Sequence, residues 1–143
     1  MLVRLMYASR ALPGLDQEEL NAILRQSRTW NPKFGITGVL CLCQTGSLFI
    51  QVLEGGRVQV NQLYNKIVRD PRHGDVTLLS FEEIAERRFA GWAMGQVNMA
   101  RLNPALLLKY SEMATLDPWS VSGHATAALF DEMVATAAVM GQA

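Results

Sequence analysis

Apolar residues in this chain fall into short alternating runs separated by two stretches of helical spacing, and their order predicts a fold. LVRLMYAS reads as a first strand, with Val3, Leu5 and Tyr7 on one face and Leu2, Arg4 and Met6 on the other. Pro13 and Gly14 break the run, Asp16 stands where a helix N-cap belongs, and Leu20, Ile23, Leu24 and Ser27 follow at helical spacing. The helix stops before Pro32, because a proline drives the preceding residue, Asn31, toward extended backbone. FGITGVLCLC and SLFIQVLEG read as two strands joined by a hairpin through Gln44, Thr45 and Gly46. A second helix fits VQVNQLYNKIVRD, with Val60, Leu63, Tyr64, Ile67 and Val68 as its buried stripe. Pro71 ends it, RHGD follows as a polar loop, and VTLLSFEEIAE and GWAMGQVNM make a fourth and a fifth strand.

The order strand–helix–strand–strand–helix–strand–strand predicts a ferredoxin-like α+β sandwich, a five-stranded mixed sheet with both helices on one face. Composition changes at Asn103-Pro104, where PALLLKYSEM and then GHATAALFDEMVATAAVM read as two further helices. Their apolar stripes need a partner surface, and the sheet face left bare by the core helices is the one they would cover. Residues 1–100 are therefore expected to form the core unit and 101–143 a helical extension of the same structural unit. This fold hosts many activities, so function has to be read from individual residues.

Bulk properties narrow the classes. A chain of 143 residues is one domain, large enough to enclose a small ligand. Its 13 basic and 13 acidic residues cancel, which leaves no electrostatic footprint for nucleic acid. With 50% hydrophobic and 18% charged residues the composition is globular, not disordered. The apolar run at the N-terminus contains Arg4 and is too short for a signal peptide or a membrane span. Cys41 and Cys43 share one strand face without disulfide geometry, and with two distant histidines they make no metal site. They read as reduced packing residues, and the chain reads as cytoplasmic.

One residue breaks the apolar pattern. In SLFIQVLEGG, Ser47, Phe49, Gln51 and Leu53 share one face and Leu48, Ile50 and Val52 the other, so Gln51 lies in a strand covered on both sides. A buried primary amide offers two donors and an acceptor, and leaving it unpaired costs roughly 1–3 kcal/mol. Tyr7 falls in a strand that can neighbour it, and a buried phenol also needs a partner. Trp92 and Met94, two apart in the predicted fifth strand, are expected on one face beside them. These four residues describe either a mixed core with one polar pair, the commoner arrangement, or a redox-capable chromophore pocket. Ser27 and Asn31 end the first helix, while Asp70, Arg72 and His73 follow the second. Arg72 and His73 fit either a phosphate site or a solvated turn. His124 reads as a surface or packing residue, and Trp30 and Trp119 as gap-fillers near turns. No GxGxxG, no GxxxxGK[ST], no catalytic carboxylate pair or Ser-His-Asp set and no RNA-recognition aromatics stand out.

LMYASRA, RTWNPKFGITGVL, FIQVLEGG, RDPRH and FAGWAMG, in this order and at these separations, resemble the BLUF domain, a blue-light sensor that uses a flavin. The resemblance covers roughly residues 1–100, and the two trailing helices are similar to those of short, single-domain members. It implies a photoreceptor and not an enzyme. Tyr7 matches the tyrosine that gives an electron and a proton to the excited flavin, and Gln51 the glutamine bridging that tyrosine and the flavin N5/O4 edge. Asn31 matches the residue at the flavin C4=O/N3 side and Arg72 one near C2=O. Trp92 and Met94 match the light-responsive pair, and Ser27 a polar position near Gln51. Asp70 and His73 align near the ribityl chain and phosphate, while Ile23 and Ile67 would wall a ring lying between the two helices. Trp30 departs from the histidine or asparagine of some members, which removes a hydrogen bond to the ring from that position. The implied cofactor is FAD, with FMN or riboflavin as alternatives. The implied partner is a separate signalling protein, with no nucleic acid and no membrane, the receptor itself being a homo-oligomer such as a dimer.

Two competing readings keep the same fold. An acylphosphatase-like hydrolase would pair Arg10 or Arg72 with Asn31, although its phosphate-cradling loop is not evident. An adaptor module would use the tail helices for assembly and bind no chromophore.

Overall fold

The structure, a computed structural model, describes residues 1–12, 16–43, 48–98, 102–136 and 139–140, the side chains of Cys43, Val139 and Met140 excepted. The elements are β1 (Leu2–Ala11), α1 (Gln17–Trp30), a 3-10 turn (Asn31–Phe34), β2 (Thr37–Cys43), β3 (Leu48–Gly56), α2 (Arg57–Val68), β4 (His73–Ile84), β5 (Gly95–Val97), α3 (Pro104–Tyr110), α4 (Gly123–Ala135) and β6 (Val139–Met140). The sheet runs β4-β1-β3-β2-β5-β6, with β2 and β5 parallel and the other pairs antiparallel. The five expected strands are thus joined by a sixth of two residues. The predicted hairpin through Gln44, Thr45 and Gly46 lies outside the described residues, as do Pro13 and Gly14.

The alternation read from the sequence sorts the core into two layers. Val3, Leu5, Tyr7, Phe49 and Leu53 pack with Leu20 and Leu24 of α1 and Val60 of α2. Met6, Ala8, Leu48, Ile50 and Val52 pack on the opposite face with Leu107 of α3 and Leu129, Phe130 and Met133 of α4. Burial on both faces explains why β3 reads as one continuous apolar run. Cys41 is buried in the α4-side layer.

Asp16 caps α1 by accepting the Glu19 backbone N–H at 2.9 Å. The end of α1 departs from the expectation. Asn31 is right-handed helical, with φ −58° and ψ −42°, not extended. Pro32 occupies the first turn of a 3-10 segment, where its missing N–H costs nothing, so the chain tightens instead of stopping. Gly35 then closes the turn in the left-handed region, at φ 67°.

Other boundaries move too. Val68 is exposed instead of joining the α2 stripe, at the last residue of the helix. RHGD is not a loop: β4 begins at His73 and pairs with Ala11 of β1. The fifth strand shrinks to Gly95–Val97, and α4 stops at Ala135, ahead of β6. Trp30 and Trp119 fill no gap, since both are exposed, each beneath a cation, Lys33 and Arg10 respectively. His124 is exposed on α4. No helix among the described residues is long and apolar enough to cross a membrane.

Candidate functional site: a cleft between α1 and α2

A cleft of about 430 Å³ opens between α1 and α2, with Tyr7 and Gln51 on the sheet beneath it. Ile23 of α1 and Ile67 of α2 line it from either side, with Leu40, Phe49 and Leu63 adding apolar surface. Because β1 and β3 are antiparallel, the helices that follow them run in opposite senses. Ser27 and Asn31, at the end of α1, and Asp70, Arg72 and His73, just beyond α2, all line the cleft. A cavity of this size and apolar character, with a few convergent polar groups, suits a planar heterocycle.

On its floor, Tyr7 and Gln51 are direct cross-strand partners of β1 and β3, with Leu40 of β2 on the other side of Gln51. The Tyr7 hydroxyl donates to Gln51 Oε1 at 2.5 Å. Gln51 Nε2 in turn donates to Met94 Sδ at 3.3 Å. The amide is thus held at both ends by different chemistry, a phenol at its acceptor and a thioether at its donor. Burial keeps the Tyr7 phenol neutral, its pKa pushed well above the ordinary value mainly by desolvation and then by the neighbouring Tyr64.

Met94 and Trp92 do not share a face as the strand pattern predicted. Met94 is fully buried in the layer of Tyr7 and α1, whereas Trp92 packs in the layer of α4. Alternation requires extended backbone, and here the chain turns: Trp92 N–H bonds Phe89 O at 3.1 Å and Trp92 O accepts Gly38 N–H at 3.0 Å. Trp92 Nε1 is buried without a partner among the described residues.

At the α2 end, Asp70 accepts from the Arg72 backbone N–H at 2.9 Å and from the Arg72 guanidinium at 3.0 and 2.5 Å. This pairing holds the Asp70 carboxyl below the ordinary range and raises Arg72. It also fixes the direction in which the remaining guanidinium N–H groups point. His73 is fully engaged: Nε2 meets the Ile67 carbonyl at 2.6 Å and Nδ1 the Ser9 hydroxyl at 2.8 Å. A carbonyl can only accept, so Nε2 carries the proton and Nδ1 of a neutral ring accepts from Ser9. His73 thereby ties α2 to the sheet, edge-on to both Tyr7 and Phe49.

Asn31 is 6% exposed and lines the cleft. An amide in a cleft wall offers both a donor and an acceptor, which suits a ligand's carbonyl and N–H. With Gln51, Arg72 and the apolar walls, this donor set fits the pyrimidine edge and ring of a flavin. Gln59, Gln62 and Lys66 of α2, with Gln26, Trp30 and Phe34, also line the cleft and were missed in the sequence. The i, i+3, i+7 spacing of Gln59, Gln62 and Lys66 beside the apolar stripe was the available signal. Arg10, by contrast, pairs with Asp75 at 3.5 Å and does not line the cleft.

A ferredoxin-like sheet beneath a flavin-fitting cleft, with a phenol bonded to an amide on its floor, defines a photosensory flavoprotein domain. Residues 2–95 match the family model described as "BLUF: Sensors of blue-light using FAD", and the chain belongs to the BLUF family. It is 30% identical over 136 residues to the photoactivated adenylate cyclase subunit beta-like protein FB of Euglena gracilis, covering 88% of this chain and 16% of that protein. The chain thus spans a small part of that relative's length. It is also similar to the solved structure of BlsA in its photo-activated state, at 29% identity and TM-score 0.83, covering 100% of this chain and 99% of that one. The dark-state structure of BlrB, a BLUF protein, matches at 31% identity and TM-score 0.75, covering 95% and 96% of the two chains. As a BLUF domain this chain is a blue-light sensor that uses a flavin.

Proposed function

We propose that the chain is a photoreceptor in which Tyr7 and Gln51 convert light absorption into a change of hydrogen bonding that a separate protein reads. The flavin, when bound, supplies a blue-absorbing ring whose excited state is a strong enough oxidant to draw an electron from a phenol. Tyr7 gives that electron and its hydroxyl proton, and both return to it, so there is no net chemistry. The proton leaves along the 2.5 Å bond to Gln51 Oε1, the single observation that carries this reading. While it is displaced, the Gln51 amide rotates or tautomerises, exchanging donor and acceptor ends. The 3.3 Å bond to Met94 Sδ is lost in that exchange, which is how the β5 segment learns of it. Asn31 and Arg72 hold the ring's carbonyl edge, Ile23 and Ile67 exclude water, and Ser27 flanks the Gln51 end. Asp70 aims Arg72, and His73 fixes the end of α2.

The output is proposed to leave through the β5 segment to α3 and α4 on the far face, and from there to a separate partner. A division near residue 100 belongs to the same reading, since every cleft-lining residue lies between Tyr7 and His73. So do a dimeric or larger receptor, tested by light scattering in dark and light, and a cytoplasmic site of action. FAD is the favoured flavin, with FMN and riboflavin the alternatives.

Absorption spectra before and after blue light test the core of this. The wild type gives a reversible red shift, and Gln51→Leu binds flavin without it. A normal red shift in Gln51→Leu removes Gln51 from the mechanism.

A further inference from the structure

Arg28, in the last turn of α1, donates from Nε to the backbone carbonyl of Met94 at 3.0 Å. Neither the cleft nor the resemblance assigns it a role. Its neighbour Ser27 lines the cleft, and Asn31 stands three residues further on, at the start of the 3-10 turn. Met94 is the residue whose sulfur accepts from Gln51. One methionine is therefore gripped at two points, its side chain by Gln51 and its backbone by Arg28. The second grip matters because residues 91–94 lie outside any strand: β5 starts only at Gly95 and is three residues long. Segments held by few hydrogen bonds are the ones that move at low cost. Two of the contacts that seat this one are Gly38 N–H to Trp92 O and Arg28 to Met94 O.

We propose that Arg28 is a positioning residue, a clamp that seats the Met94 sulfur against Gln51 in the dark and must be remade during recovery. This rests on the reading of Gln51 given above. Hydrogen bonds to charged donors are stronger than neutral ones, and the guanidinium reaches a carbonyl at the unpaired start of β5. When Gln51 exchanges its ends, the sulfur loses its donor and only the backbone grip still draws Met94 back. Without that grip, Met94 samples seated and displaced positions, and return of Gln51 to its dark partners slows.

The alternative role for a basic residue at this place is to complement the helix dipole, and the variants are chosen to separate the two. In Arg28→Ala, dark recovery of the flavin spectrum is expected to slow by about tenfold, the effect of losing one part-formed charged hydrogen bond. Arg28→Lys, which can still donate to the carbonyl, recovers most of the wild-type rate. The double variant R28A/T29R restores the last-turn charge one residue along, without the contact, and stays slow. A readout independent of the photocycle is the ¹³C-methyl NMR signal of Met94 in dark protein, with and without flavin. It is single in wild type and R28K, and shifted or doubled in R28A and R28A/T29R. Unchanged recovery with an unchanged Met94 signal in R28A overturns the clamp, as does full rescue by T29R. Absence of any photocycle in wild type would instead defeat the Tyr7–Gln51 reading, while the Met94 signal still tests the clamp. Arg28 is solvent-accessible, and flavin content and thermal melting confirm that each variant folds.

Discussion

The Tyr7 hydroxyl meets Gln51 Oε1 at 2.5 Å because the two residues face each other directly across β1 and β3. Their side chains are paired by strand register, so the contact is as reproducible as the sheet itself. Removing one partner leaves the other buried and unsatisfied. Tyr7→Phe is therefore expected to lower the stability of the flavin-free protein by about 1–3 kcal/mol and to abolish the light-induced shift. Urea melts and difference spectra measure the two effects; a fully photoactive Tyr7→Phe protein contradicts the proposed electron and proton route.

The same phenol predicts an alkaline limit. Its pKa in the folded state lies above the ordinary value of 10.0. The contribution is complete below that value and declines as pH rises past it, because the unfolded chain then loses a proton that the folded chain keeps. Melting temperature should fall above pH 10 more steeply in wild type than in Tyr7→Phe. Parallel curves would show that Tyr7 is not the group responsible.

Asp70 acts in the opposite direction. Arg72 holds its carboxyl below the ordinary 3.8, so the stabilisation is present above that value and disappears as pH falls toward the lowered folded pKa. Asp70→Asn should cost stability at neutral pH, and the gap from wild type should close on acidification below about pH 4. Losing Asp70 also frees the Arg72 guanidinium, so flavin affinity should drop by titration. A pH-independent gap contradicts the ion-pair origin.

Glu54 is the most demanding buried charge. It is 0% exposed and accepts from Arg4 Nε at 2.8 Å and from the backbone N–H groups of Arg88 and Phe89 at 3.1 and 2.7 Å. It shares β3 with Gln51 but faces the opposite layer, and it sets the turn that delivers Trp92 and Met94. Glu54→Ala should destabilise by about 3–5 kcal/mol, since Arg4 and two backbone donors lose their acceptor. Glu54→Gln, which keeps one acceptor oxygen, should lose less; equal losses in denaturant titrations would argue against this network.

Gly123 allows the start of α4 to rest on β4. A Cβ there would lie 2.1 Å from the Leu79 carbonyl oxygen, so Gly123→Ala must push the helix off the sheet. The expected cost is roughly 1–3 kcal/mol with flavin binding retained, because the cleft is on the other face. A melting temperature equal to wild type would show that α4 is not seated there.

The succession of strands and helices along the chain, the two helices on one face and the two faces of β1 and β3 follow from alternation and helical spacing, which local sequence encodes directly. Gln51 was conspicuous for the same reason: one amide in a run of apolar residues needs a partner. Boundaries were less legible where two local preferences compete, as at Asn31, where a pre-proline residue remains helical because a 3-10 turn accommodates Pro32. The placement of Trp92 and Met94 could not be read at all. Periodicity predicts one face for them, but a turn anchored by Phe89 and Gly38 rotates the chain and sends them to opposite layers. Arg28 reads as one more basic residue on an exposed helix turn until the fold brings the Met94 carbonyl to it.

The sequence by itself determined the fold class and the buried amide, because both are written in residue type and spacing, and its motifs carried the resemblance to a flavin-using light sensor. Only the tertiary structure decided that Met94, not Trp92, touches Gln51, that His73 is engaged by Ser9 and Ile67, and that Asp70 orients Arg72. Those outcomes depend on contacts between positions far apart in the chain, and no local period carries that information.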